Sequence, residues 1–353
     1  MLIAVVGAGA VGSLLAGCLA SAGHGVLLVR RIGPEEPVAG SLRLLTPDRG
    51  PRDVRVFRAG VAALRRPDPL GAGGLDAAVL AVKRFDLDAA IAALGAWPEL
   101  PVVTVQNGVG AEEQVLARRP ATRLVAASLT SAVEMGDRGE ARWLTRGGIG
   151  LAAWNGGAPA EALARALAAA FGAGGMRAAV LRDPVAMKWS KLVANLVGNA
   201  TGALLDMDVR AIYADPSLYE IERRQAFEAL AVMRTLRLAP VALPGADVRL
   251  LLAVYRSPAP VARLLLARVL GGARGEKMPS LRLALRAGAE RTEVAWLNGA
   301  VASVGARAGV PVPVNATLSR LLQEAAEDPS RRDWFRGRSD RLVDEVAAAD
   351  SST

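Results

Sequence analysis

Residues 2–12 read LIAVVGAGAVG, and the reading of this stretch decides the fold of the N-terminal half. Leu2 to Val6 is a short apolar run of strand type, and a helical pattern follows it through about Leu19. Strand, glycine turn and helix in that order make a dinucleotide-binding unit in which each glycine has its own task. Gly7 makes the tight turn, Gly9 lets a pyrophosphate approach the backbone, and Gly12 lets helix and strand pack closely. The helix N-terminus supplies backbone N–H groups and the positive end of its dipole. The opening is apolar enough to imitate a signal peptide or membrane anchor, but it lacks a basic leader and the glycines interrupt it. A cytoplasmic protein with no membrane partner is the expectation.

Moving outward, Val26 to Val29 has the pattern of a second strand, and its end selects the dinucleotide. An acidic residue there would hold a ribose 2′-OH, whereas this chain carries Arg30 and Arg31, which suit the 2′-phosphate of NADP. Two arginines merely exposed at a strand end would look the same in sequence. His24, the only histidine, falls in the turn before this strand and reads as a loop residue with no neighbour to make it a ligand or base. Leu42 to Phe57, interrupted by PDRGPRD, reads as a strand pair. Two further buried strands follow, Asp76 to Val82 ending at Lys83, and Val102 to Val105 ending at Gln106-Asn107-Gly108. Ligands of open α/β sheets bind at strand C-termini, so Lys83 and Asn107 are candidate contacts, although Asn-Gly is also an ordinary turn. Leu124 to Thr130 and segments through Trp154 read as more strands, some antiparallel; Ala160 to Phe171 reads as a helix and Ala178 to Leu181 as a last strand.

From Asp183 the texture changes to long helical patterns. The expected organisation is an α/β Rossmann-type domain over 1–182, an all-α domain over 183–347, and a frayed tail over 348–353, where the residues are small and polar. Near the start of the helical part stands MKWSKLVANLVGN (187–199). Its apolar residues recur at helical spacing, so it reads as one mostly buried helix. Lys191, Asn195 and Asn199 stand four apart and would line one side of it. Asparagine is a poor helix-interior residue, and a buried unpaired polar group costs about 1–3 kcal/mol. Of 43 basic residues only four are lysine, namely Lys83, Lys188, Lys191 and Lys277. The chain thus uses arginine wherever charge alone is needed, and lysine differs in being able to give up its proton. The stripe therefore reads as the floor of a cleft for a polar substrate.

Composition sets the outer bounds. The chain has 353 residues, 52% hydrophobic and 22% charged, which is globular and long enough for two domains. The single cysteine, Cys18, allows no internal disulfide. Aromatics at 4% are too few for a nucleic-acid stacking platform. The net charge of +9 comes from arginines spread along the chain, clustered modestly at Arg331 to Arg341, so a basic surface attracting an anionic cofactor and substrate accounts for it better than nucleic acid does.

GAGAVG (7–12), LAVKRFD (80–86), VQNGVG (105–110), KLVANLVGN (191–199), KMPSL (277–281), RTEVAWLNG (291–299) and GVPVPVN (309–315) resemble, in order and over nearly the whole chain, the ketopantoate reductase (2-dehydropantoate 2-reductase) family. The resemblance implies a Rossmann domain followed by a helical domain of the 6-phosphogluconate dehydrogenase type. It also implies NADPH-dependent reduction of a small 2-oxo acid, ketopantoate, to pantoate in pantothenate biosynthesis. By it, Lys191 is the general acid and Glu293 orients Lys191 from a later helix. Asn195 and Asn199 hold the substrate's hydroxyl and neighbouring oxygens, and Ser280 its carboxylate. Asn107 and Lys83 lie near nicotinamide, ribose or substrate, and Arg31 contacts the 2′-phosphate. A homodimer through the helical domain is compatible with the resemblance, and the chemistry so read calls for no metal ion. The chain departs from the family pattern at Ala200, where proline is usual, and at Arg282-Leu283, where Gln-Asp is usual. It also has one residue more between Gly288 and Glu293 and a longer segment from about Asp206 to Arg274. A sibling reductase for another 2-oxo acid, a 3-hydroxyacid dehydrogenase of the related superfamily, and a silent NADPH-binding regulator are the competing readings.

Overall fold

A computed structural model of the chain describes residues 1–48, 50–66, 68–71, 73–273 and 278–351. Lys277 of the KMPSL motif lies outside them. The chain divides into two compact units. The first comprises Met1–Gln106, Gly110–Lys188 and Leu243–Ala246, and the second Asn107–Val109, Trp189–Ala242 and Asp247–Thr353.

The first unit is built on an eleven-stranded sheet of β1 (Leu2–Val6), β2 (Gly25–Arg30), β3 (Val38–Thr46), β4 (Gly50–Gly60), β5 (Ala77–Leu80), β6 (Val102–Thr104), β7 (Leu124–Leu129), β8 (Val133–Met135), β9 (Ala141–Trp143), β10 (Ile149–Ala153) and β11 (Ala178–Val180). Their spatial order is β11-β10-β7-β6-β5-β1-β2-β4-β3-β9-β8. The central strands β7, β6, β5, β1, β2 and β4 are mutually parallel, while β3 returns antiparallel on β4 as the hairpin expected from Leu42 to Phe57. Alternate residues of β1 go to opposite faces. Ile3 and Val5 join a core with Leu14, Leu15 and Phe171, whereas Ala4 and Val6 join one with Leu64, Ile91 and Val115. Burial on both faces is why these strands read as continuous apolar runs. Helices α1 (Ala10–Ser21), α2 (Leu87–Ala93), α3 (Ala111–Arg118) and α4 (Gly157–Ala173) belong to this unit. Cys18 is buried in α1, and burial pushes its thiol up to about 12, which suits an inert packing residue. His24 does have a neighbour, since its Nδ1 lies 3.2 Å from the N-terminal ammonium; burial first, and that charge second, hold its pKa below the ordinary value.

Helix α5 (Pro184–Leu196) begins with Pro184 in its first turn, and Asp183 Oδ1 accepts from Ala186 N at 2.8 Å. The division between units falls within it, after Lys188. The second unit continues as α6 (Ala200–Leu205), α7 (Val209–Ala214), α8 (Pro216–Thr235), α9 (Val248–Tyr255), α10 (Ala259–Ala273), α11 (Ser280–Arg286), α12 (Asn298–Ala308), α13 (Pro313–Glu327), α14 (Pro329–Phe335) and α15 (Ser339–Asp350).

Three expectations change here. The stretch 187–199 is not one helix: α5 stops at Leu196, Gly198 adopts φ +60°, and Asn199 starts α6. Gly198 can take the left-handed conformation at no cost, and its N–H is captured by Glu222 Oε2 at 2.6 Å, which ends the helix. Glu293 sits not on a regular helix but on the 3₁₀ segment Glu293–Trp296 that follows Thr292. The tail is helical through Asp350, where an ion pair with Arg224 holds it, so fraying does not begin at 348. No helix among the described residues is long and apolar enough to cross a membrane.

Candidate active site

In the first unit the glycine turn has the geometry that its three glycines require. Gly7 has φ +111°, and a Cβ there would lie 2.7 Å from the backbone of Ala81, just beyond β5. A Cβ on Gly12 would lie 1.8 Å from Gly7 O. These two positions exclude side chains for internal reasons. Gly9 differs: its φ of −79° suits any residue, and a Cβ there meets nothing within 4 Å. The open space at Gly9 adjoins the first turn of α1, which no side chain caps, so the backbone N–H groups there fit a pyrophosphate. The turn sits where β2 and β5 flank β1 on opposite sides, the point at which the strand order reverses. Gly9→Ala is therefore expected to leave the unfolding midpoint near that of the parent while weakening NADPH binding, read by cofactor fluorescence, about tenfold or more. Equal NADPH affinity in the variant would remove Gly9 from the cofactor site.

Arg30 closes β2 and Arg31 follows it, both exposed. Lys83 precedes the 3₁₀ turn Arg84–Asp86 after β5. Gln106 Nε2 donates to Leu80 O at 2.7 Å and to Val82 O at 3.2 Å, tying the ends of β5 and β6 together. Lys188, which has no task in the sequence reading, is 2% exposed; its Nζ donates to Gln106 O at 2.6 Å and lies 3.2 Å from Glu112 Oε1. Glu112 is fully buried at the start of α3 and accepts from Thr104 Oγ1 at 2.7 Å. A buried lysine–glutamate pair thus stands inside the first unit.

The second unit gathers the remaining predicted residues. Lys191 Nζ donates to Asn195 Oδ1 at 2.8 Å, and Asn195 Nδ2 donates to Asn107 Oδ1 at 3.0 Å. The four-residue spacing on α5 makes the first contact, and it fixes which way the Asn195 amide points. Asn195 is therefore engaged in holding Lys191, a task the sequence did not assign to it. Asn107-Gly108 is a turn, as one reading allowed, but a packed one. Gly108 has φ +79°, and a Cβ there would lie 1.9 Å from Trp296 O. That close approach brings the Asn107 turn against the segment carrying Glu293, which is 7% exposed. Asn199 is also buried, and its Oδ1 accepts from Leu281 N at 3.1 Å. The neighbour of Leu281, Ser280, opens α11 and is half-buried. Lys191, Asn195, Asn107 and the Glu293 segment therefore form one group, and Asn199 is joined to the turn bearing Ser280. The asparagines of the two remaining motifs have a structural task instead: Asn298 Nδ2 donates to Asn315 Oδ1 at 3.0 Å and to Gln225 Oε1 at 2.9 Å, all fully buried.

A half-buried ammonium beside an amide acceptor can stabilise a developing oxyanion and deliver a proton to it. The glycine turn of the other unit suits a dinucleotide.

The chain matches known proteins over most of its length. The family model described as ketopantoate reductase PanE/ApbA matches residues 3–156, and that described as ketopantoate reductase PanE/ApbA C terminal matches residues 183–326. The 2-dehydropantoate 2-reductase of Halobacterium salinarum is 29% identical over 331 residues, covering 93% of this chain and 100% of the relative. The crystal structure of a PanE/ApbA family ketopantoate reductase from Ralstonia eutropha superposes with a TM-score of 0.72 at 26% identity, covering 93% of this chain and 100% of that one. D-Mandelate dehydrogenase, solved with NADH and anilino(oxo)acetate, shares the fold with a TM-score of 0.72 at 18% identity, over 93% of this chain and 99% of its own.

Proposed function

The chain belongs to the ketopantoate reductase family, and from that premise we propose that it reduces 2-dehydropantoate to pantoate with NADPH, using Lys191 as the general acid. The observation that carries the proposal is the line Lys191–Asn195–Asn107, which holds an ammonium in one orientation. NADPH, when bound, supplies a hydride to C2 of the 2-oxo acid. Negative charge then develops on the carbonyl oxygen, and the Lys191 ammonium both stabilises it and protonates it. Asn195 and Asn107 hold the donor, and Glu293, on the segment packed against the Asn107 turn, orients it. Asn199 and Ser280 receive the substrate's oxygens and carboxylate. Gly7, Gly9 and Gly12 shape the turn for the pyrophosphate, Lys83 lies on the cofactor side, and Arg31 takes the 2′-phosphate, which selects NADPH over NADH.

The test is a substrate panel. NADPH consumption with branched 2-oxo acids, and no NADP⁺-dependent oxidation of 3-hydroxy acids, is the expected result. The reverse pattern would move the chain to the 3-hydroxyacid dehydrogenases, and cofactor binding with no turnover at all would make it a silent regulator.

A further inference from the structure

The second unit holds a cleft of about 340 Å³ whose walls carry arginines from two helices. Arg282 and Arg286 stand one turn apart on α11, and Arg332 and Arg336 are spaced likewise on α14 and just past its end. Leu204 and Leu285 form an apolar floor. Among the described residues that line the cleft there is one carboxylate: Asp206 Oδ1 lies 2.7 Å from Nε of both Arg282 and Arg286. Four guanidiniums against one carboxylate leave three positive charges in a concave space. Asp333, which does not line the cleft, is 3.4 Å from Arg336, but both are well exposed and such a pair is weak; counted in full, it still leaves two.

Two of the guanidiniums, those of Arg332 and Arg282, are also held by backbone carbonyls. Arg332 donates from Nε to Ala325 O at 3.1 Å and from Nη1 to Leu285 O at 2.9 Å, and Arg282 Nη2 donates to Asp206 O at 2.7 Å. Backbone carbonyls fix position without cancelling charge. A cation near a helix C-terminus is explained by the helix dipole, which covers Arg286 and Arg332. It does not cover Arg282, which sits in the first turn of α11 where positive charge is unfavourable. The surrounding cations hold the Asp206 carboxyl down at about 2, chiefly through its hydrogen bond to Arg286.

We propose that this cleft binds a dianionic ligand of the phosphate monoester class, its anionic group between Arg286 and Arg336 and a short apolar part over Leu204 and Leu285. Guanidiniums match phosphate oxygens two at a time, that of Arg286 is already positioned by Asp206, and the excess charge concentrates anions there. This site uses none of the residues assigned above to reduction.

The experiment is calorimetric titration of the full chain with phenyl phosphate and with inorganic phosphate at constant ionic strength. Because the readout is binding, the result stands whether or not the chain reduces a 2-oxo acid. The expected result is saturable binding that is about tenfold or more weaker in the double variant Arg286→Gln, Arg336→Gln. Arg118→Ala, at an exposed position on α3 in the first unit, should leave it unchanged. Asp206→Asn removes the competing carboxylate, and asparagine tolerates the residue's φ of +53°, so binding should tighten. Tighter phenyl phosphate than inorganic phosphate supports the apolar floor. No saturable binding, equal affinity in the double variant, loss in Arg118→Ala, or no tightening in a folded Asp206→Asn protein would each overturn the proposal.

Discussion

Replacing Lys191 by alanine is expected to lower kcat by about 10²–10⁴-fold, the usual share of a general acid, while NADPH binding stays near that of the parent. This corresponds to roughly 3–5 kcal/mol of barrier. The loss should fall on kcat because the interaction is with charge that exists only in the transition state. Lys191→Arg separates the two duties of the residue. Arginine keeps the positive charge but does not release a proton near neutral pH, so it should recover part of the electrostatic stabilisation and little of the turnover. Steady-state kinetics with a branched 2-oxo acid, beside a cofactor titration, reads both. Near-normal turnover in Lys191→Ala would end the assignment. Turnover restored fully by arginine would reduce the role of Lys191 to charge alone.

The second large effect concerns Lys188 and Glu112. Lys188→Met leaves the fully buried Glu112 without its cation, and breaking such a pair from one side costs about 3–5 kcal/mol, a large part of a typical stability of about 5–15 kcal/mol. Adding Glu112→Gln keeps an acceptor for Thr104 Oγ1 and removes the stranded charge, so most of the loss should return. Urea unfolding of the parent, both single variants and the double variant measures this. A stable Lys188→Met protein, or a double variant no better than the single, would contradict the account of a mutually dependent pair.

The glycine turn was legible in sequence because its constraints are steric and local. Gly12 is a glycine for a reason contained within one turn and one helix, and Gly7 for its positive φ, to which the approach of Ala81 adds. The central strands were legible because burial on both faces writes an unbroken apolar run. The end of α5 was not, since Val197-Gly198-Asn199 continues the apolar period. What stops the helix is Glu222, a residue on α8 that reaches Gly198 N. The Lys188–Glu112 pair was hidden for the same reason, because two residues far apart in sequence meet only once α5 packs in the first unit. The tail from 348 reads as frayed by composition, whereas α15 continues to Asp350, which pairs with Arg224. In the site, Lys191 and Asn195 could be paired from their spacing alone. The link from Asn195 to Asn107, and the press of Gly108 against Trp296, needed the fold.

The most direct measurement of the central claim is kcat/KM of the purified protein for ketopantoate with NADPH, set beside other 2-oxo acids and beside NADH. The account predicts ketopantoate as the preferred substrate and NADPH as the preferred cofactor. Preference for another 2-oxo acid would keep the Lys191 chemistry but contradict the substrate, and the segment from Ser280 to Leu283 would be the first place to look; preference for NADH would contradict the role given to Arg31.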